Sequence, residues 1–351
     1  MADSSVNYAV DLRFVNATPE TTFQSMRIIF AGTPDYAVPS LKKLHALAPR
    51  HEVVAVVSQP DKPKGRSGHP TPPPVVDAAR KLGIPNERIF QPKSINKREI
   101  LESLAALSPD LLCVVAYGGL LKQKALSLAK LYPINAHGSI LPRHRGAAPI
   151  QAALLAGDTE TGVCIMKMEL GLDTGPVLLC RKTPILPSDD AGTLHDRLAE
   201  LSADCFVEAV EIITTGPVTF TPQDQTQASY AAKLEKNSGR IDWNRDGAYL
   251  ERFIRAMNPW PGAWTALSLP DGSQTVRLRV VRASFEGAQS GTCACSGRVR
   301  GEGNDAVLLA TAGDGTTLAI REIQPEGKRP MSVAEFLRGA GRKFISGLKW
   351  A

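Results

Sequence analysis

No stretch of about 18 apolar residues occurs anywhere in the chain, so no membrane-spanning helix and no membrane partner are expected. Cysteine is sparse and badly placed for metal. Cys113, Cys164, Cys180, Cys205, Cys293 and Cys295 form no Cys-x-x-Cys, and no histidine stands at ligand spacing from any of them. A metal site is therefore not expected, because the pair Cys293/Cys295 lacks further ligands. Most of the six read as small buried residues in a reducing compartment. No Gly-x-Gly-x-x-Gly follows the first apolar strand, which argues against a nicotinamide dinucleotide. No serine or cysteine sits in a nucleophile setting such as Gly-x-Ser-x-Gly, so a covalent acyl-enzyme is not expected either. The first 25 residues lack a continuous apolar core and carry Asp3, Asp11 and Glu20, which argues against a secretory signal or an organellar transit peptide. A cytoplasmic location follows as the expectation.

At 351 residues the chain exceeds the usual size of one hydrophobic core, so two domains are expected. Its 43% hydrophobic and 22% charged residues are ordinary for a globular protein. Residues 1–25 read as an extension outside the fold, because at Met26 the pattern turns abruptly into Arg27-Ile28-Ile29-Phe30-Ala31-Gly32. The net charge of +6 is unevenly divided. From Lys236 to the end there are 17 Lys and Arg against 11 Asp and Glu, while the preceding residues hold 24 of each. The positive excess is either chance surface charge or the mark of a polyanion-binding appendage on a neutral body.

From Met26 onward, apolar strand-like runs alternate with helical patterns. Strands are expected at 27–31, 52–58, 111–116, 133–137, 162–168 and 176–182, and helices at 39–47, 75–82, 95–107, 124–131 and 193–213. Residues 59–74, with six prolines and two glycines, must be a loop. Such alternation predicts an α/β fold with a doubly wound, mostly parallel, Rossmann-like sheet over residues 26–213. Residues 214–237 read as a linker. In 238–351 a helix at 248–257 precedes five short strands broken by Pro270-Asp271-Gly272 and Gly313-Asp314-Gly315, a pattern that suits a small β-barrel of the OB-like kind.

Ligands of a doubly wound sheet bind beyond the carboxyl ends of its strands. The strand ending at His137 carries Asn135 and His137 on one side, since side chains alternate along a strand. Asp173 lies between Gly171 and Gly175, on a turn joining two strands. Each of these groups alone could be a satisfied structural residue. Together they make a three-residue polar site the better reading, with an amide donor and two acid–base groups. Such a set suits acyl transfer to an amine. An oxyanion needs a donor, the attacking amine must lose a proton, and the leaving nitrogen must gain one.

These residues also carry a resemblance. The stretch from Asn135 to Gln151, NAHGSILPRHRGAAPIQ, is similar to the core motif of the folate-dependent formyltransferases. Phe30-Ala31-Gly32-Thr33-Pro34, Val115-Ala116-Tyr117-Gly118 and Met168 to Gly175 resemble the family's other marks, and the likeness runs from Met26 almost to the C-terminus. It implies Asn135, His137 and Asp173 as the catalytic trio and 10-formyltetrahydrofolate as the donor. It also implies Ser139, Ile140, Leu141 and Pro142 as folate-binding residues. Asn258 to Trp264 and Gly327 to Ser332 resemble the C-terminal domain of the tRNA-modifying branch. That branch implies initiator methionyl-tRNA as acceptor, a bacterial-type cytoplasmic setting and a monomer. Asp61-Lys62-Pro63-Lys64-Gly65-Arg66 is similar to the branch's tRNA-contacting loop and implies a tRNA-binding role for Arg66. The sequence departs from that branch after Arg66, with Ser67-Gly68-His69 where lysines are common.

Overall fold

The computed structural model describes residues 25–63, 68–269, 271–288, 296–344 and 348–350. Arg66, Cys293, Cys295 and the expected extension up to Gln24 lie outside these residues.

The Val- and Ile-rich runs become strands buried on both faces, as parallel sheets require. β1 (Met26–Gly32), β2 (His51–Val57), β3 (Ile89–Phe90), β4 (Leu111–Val115) and β5 (Tyr132–His137) run parallel, while β6 (Glu160–Lys167) and β7 (Val177–Pro184) are antiparallel to their neighbours. Their order across the sheet is β7-β6-β5-β4-β1-β2-β3. Helices α1 (Val38–His45), α2 (Pro74–Lys81), α3 (Arg98–Ala105), α4 (Pro149–Ala156) and α5 (Ala191–Thr215) connect and cover them. Proline opens α1, α2 and α4, where its missing N–H costs nothing. One face of the sheet packs Ile28 and Phe30 with Leu41, Leu194 and Phe206. The other packs Ile29 and Ala31 with Leu104 and Leu112.

The strand order reverses between β1 and β4, and there the sheet opens a crevice at its carboxyl edge. Thr33 joins the loops around it. Its Oγ1 donates to the Tyr117 carbonyl at 2.7 Å and accepts from the Gln59 N–H at 3.3 Å.

The second unit begins with α6 (Gly247–Met257), capped by the Asp246 carboxylate, which accepts from the Tyr249 N–H. It continues through β8 (Trp264–Ser268), β9 (Thr275–Ala288), β10 (Ser296–Arg300), β11 (Val307–Thr311) and β12 (Thr316–Pro325), then α7 (Val333–Arg338) and β13 (Leu348–Trp350). The antiparallel ring runs β9-β8-β13-β10-β11-β12 and returns to β9. Register shifts between Val280 and Ala288 bend the long β9 so that it can pair along both edges. The sixth strand of the ring is the C-terminal Leu348–Trp350, which is too short to be read from periodicity.

The two units share one buried core and several direct contacts. Arg252 Nε donates to the Leu155 carbonyl at 3.3 Å, and Arg255 Nη1 donates to the Asp189 carbonyl at 3.0 Å. The intervening segment is tied down as well. Thr221 exchanges two 2.8 Å backbone bonds with Val177, and Tyr230–Ala231 pairs in parallel with Arg145–Gly146.

The cysteines divide in two. Cys113 and Cys205 are buried free thiols, and burial pushes the Cys205 thiol up to about 12 and raises that of Cys113 as well. Cys164 and Cys180 differ from the expectation of separate reduced thiols. The β6–β7 register sets them directly opposite, Cα atoms 4.1 Å apart, and they are joined as a disulfide. Sequence separation alone does not reveal that cross-strand register.

Candidate active site

β5 delivers Asn135 and His137 to the carboxyl edge of the sheet, and the turn after β6 delivers Asp173. Asn135 is half-buried, and its side chain makes no hydrogen bond among the described residues, so its amide is free to meet a ligand. His137 is buried. Its Nε2 lies 2.9 Å from the His144 carbonyl oxygen, and a carbonyl can only accept, so Nε2 carries the hydrogen. In the neutral imidazole Nδ1 is left with the lone pair. Nδ1 lies 3.6 Å from Asp173 Oδ2, too long for a hydrogen bond but close enough for charge pairing once Nδ1 takes up a proton.

The carboxylate is held by backbone. Gly146 N–H donates to Asp173 Oδ2 at 2.8 Å. Three non-glycine residues near the site occupy the left-handed region: Ala116 at φ 46°, His144 at 58° and Asp173 at 52°. Such conformations cost of order 1–3 kcal/mol each and persist only where surrounding contacts over-determine them. For His144 those contacts are visible. Its N–H donates to Ser229 Oγ at 2.9 Å, and its ring Nε2 donates to Asp158 Oδ2 at 2.7 Å. This anchoring aims the His144 carbonyl at His137.

The stretch Ser139–Pro142 caps the strand end. Ser139 is buried and its Oγ donates to the Arg143 carbonyl at 2.6 Å. Leu141 packs with Cys164 and Met166, and its N–H points to Cys164 Sγ at 3.4 Å. Ile140 lines a cavity of about 430 Å³ shared with Arg143, His144 and Asp158. Arg66 lies outside the described residues. Gly146 and His144 were not singled out from sequence although both lie inside the quoted motif. Their contributions are a backbone N–H and a backbone carbonyl, and residue type does not announce either.

Fold and site together define an α/β enzyme scaffold with polar groups at its carboxyl edge and an appended antiparallel barrel. The same fold occurs in solved structures of low identity. One is WlaRD, a sugar 3N-formyl transferase solved with dTDP and 5-N-formyl-THF (TM-score 0.60, 16% identity, 87% of this chain and 100% of that one). Another is HypX from Aquifex aeolicus with tetrahydrofolic acid (TM-score 0.58, 18% identity, 90% and 48%).

The chain belongs to the formyl transferase family: residues 26–210 match its formyl transferase domain and 233–341 its C-terminal domain. It is 44% identical to the methionyl-tRNA formyltransferase of Desulfotalea psychrophila, covering 93% of this chain and 96% of that one. To that of Chromohalobacter salexigens it is 43% identical, covering 93% and 97%.

Gly146 is constrained both in conformation and in space. Its φ is 113°, and a Cβ there would stand 2.5 Å from the Ala231 carbonyl oxygen. Gly146→Ala is expected to displace the N–H from Asp173 and lower turnover about 10²-fold, with a smaller effect on the amount of folded protein. Steady-state kinetics beside a thermal melt check this, and near-normal turnover would remove the Gly146–Asp173 contact from the account.

Proposed function

We propose that this chain transfers the formyl group of 10-formyltetrahydrofolate to the free amino group of methionine on initiator methionyl-tRNA. The observation that carries the proposal is the His137–Asp173 pair at the carboxyl edge of the sheet, 3.6 Å apart beside an unengaged Asn135 amide. Similarity to the curated methionyl-tRNA formyltransferases over nearly the whole chain supports the choice of acceptor.

In this reading the methionine nitrogen attacks the formyl carbon, forming one C–N bond and a tetrahedral oxyanion. Asn135 donates its amide hydrogen to that oxygen. The Nδ1 lone pair of His137 accepts the proton shed by the attacking amine, and Asp173 balances the resulting imidazolium charge. Collapse breaks the C–N bond to the folate, and the proton held at Nδ1 passes to the departing nitrogen. No enzyme bond to the formyl group is needed. The Ser139–Pro142 stretch would present its backbone to the folate, because the Ser139 side chain is engaged within the loop and the Leu141 side chain packs against Cys164 and Met166 of β6.

The barrel supplies features suited to a polyanion. Arg277 stacks at 3.9 Å on the Trp264 ring, Arg240 lies 5.9 Å from the same ring, and Lys236 and Arg279 help line an adjoining cavity of about 260 Å³. Trp260 is exposed. We assign tRNA backbone contacts to this basic surface and contact with the acceptor end to Arg66.

Replacing Asn135, His137 or Asp173 by Ala is expected to cost about 10²-fold or more in kcat, with pairs less than additive because the groups act together. The assay uses 10-formyltetrahydrofolate with charged initiator tRNA, and elongator methionyl-tRNA as the control. A parent enzyme that formylates neither tRNA contradicts the proposal, and a fully active His137→Ala removes that residue from the chemistry.

A charge reversal at Arg277 tests the barrel without dividing the shared core. Arg277→Glu should weaken tRNA binding and flatten its salt dependence, leaving the KM for the formyl donor unchanged. Titration at two salt concentrations reads both quantities, and an unchanged slope would exclude Arg277 from the tRNA surface.

A further inference from the structure

Arg145 is the largest side chain in the described structure with no solvent exposure, and no acid forms an ion pair with it among the described residues. Its partners are neutral. Nε and Nη2 donate to Gln223 Oε1 at 3.1 and 2.8 Å, and Nη1 donates to Gln225 Oε1 at 2.8 Å, with Tyr230 Oη at 3.5 Å. A guanidinium has donors and no acceptor, so it dictates which way the Gln223 amide faces. With Oε1 turned to Arg145, Gln223 Nε2 donates to the Asp173 carbonyl at 2.8 Å and the Gly175 carbonyl at 2.7 Å. Both hydrogens of the amide nitrogen and both acceptor positions of its oxygen are thereby used.

The two carbonyls belong to the turn that presents the catalytic carboxylate. Asp173 is held there in a left-handed conformation, and Gly175 lies so close to β6 that a Cβ would fall 1.8 Å from the Lys167 carbonyl oxygen. Gln223 approaches from the segment joining the two domains, two residues after Thr221 bridges Val177. We propose that Gln223 is a positioning residue. Oriented by the buried Arg145, it clamps the Asp173 turn so that Oδ2 stays beside His137 Nδ1 and the Gly146 N–H. The proposal rests on Asp173 being catalytic, as assigned above.

Gln223→Glu separates this role from general support of the fold. Beside Arg145 the new carboxyl stays ionised and gives the buried guanidinium an ion-pair partner, so folding is retained. Toward Asp173 and Gly175, however, it offers an oxygen to two carbonyl oxygens. The full-length variant is expected to lose about 30-fold or more in kcat. Its KM values for formyl donor and tRNA should stay within about 3-fold of the parent, with no fall in thermal midpoint. In the Asp173→Ala background, Gln223→Glu should cost nothing further, because the group it positions is gone. Arg145→Met frees the amide to turn and should give the same kcat-selective loss. The inference is overturned if Gln223→Glu turns over within about 3-fold of the parent while Asp173→Ala is impaired. It is also overturned if Gln223→Glu lowers the residual turnover of Asp173→Ala by the same factor as in the parent. A fully active Asp173→Ala would instead overturn the catalytic assignment of Asp173 itself.

Discussion

The 2.8 Å bond from the Gly146 N–H to Asp173 Oδ2 is the contact on which the rest of the site depends. A carboxylate on an exposed turn is mobile, and its value to a neighbouring imidazole depends on where it is held. Here one oxygen is fixed by backbone, and that backbone is fixed by its parallel pairing with Tyr230–Ala231. Gly146 must therefore be glycine, must lie beside Ala231 and must follow Arg145.

Local strain and global topology converge at this point. The reversal of strand order between β1 and β4 opens the carboxyl edge, and the loops after β4, β5 and β6 each place a non-glycine residue in the left-handed region there. A set of loops with no other constraint would relax. These do not, because part-buried polar contacts run between segments far apart in sequence, from Ser229 to His144 and from Gln223 to Asp173. Such contacts hold their groups in place before substrate arrives, and preorganisation of that kind is what electrostatic catalysis requires. The segment between the domains is thus part of the wall of the site, and a shared core joins the barrel to the sheet domain.

Much of the fold was legible because its strands carry the signature of burial on both faces. Val53 to Val57 and Leu111 to Val115 can be little else. The helix Pro149–Ala156 escaped notice because it is apolar on nearly every side and shows no helical period, and Ile89–Phe90 is a strand only by virtue of the edge it joins. Within the site, residue types and alternation along β5 singled out Asn135, His137 and Asp173, and the structure brings His137 to within 3.6 Å of Asp173. Glycines at 171 and 175 marked a constrained turn, although the left-handed residue there proved to be Asp173. The supports of that turn were not legible. Gly146 and His144 act through backbone atoms, Gln223 acts across 50 residues, and the Cys164–Cys180 pairing depends on register. None of these relations has a local sequence pattern.

The central claim is direct transfer of a formyl group between two bound nitrogens, governed by a preorganised imidazole and carboxylate. Its most direct test is a single-turnover experiment with donor labelled in the formyl carbon, first with enzyme alone and then with charged initiator tRNA added. The account predicts label on the methionine nitrogen of the tRNA, one for each active site, and none covalently held by the protein at any time. Label trapped on the protein in the absence of tRNA, and passed on when tRNA is added, would contradict it.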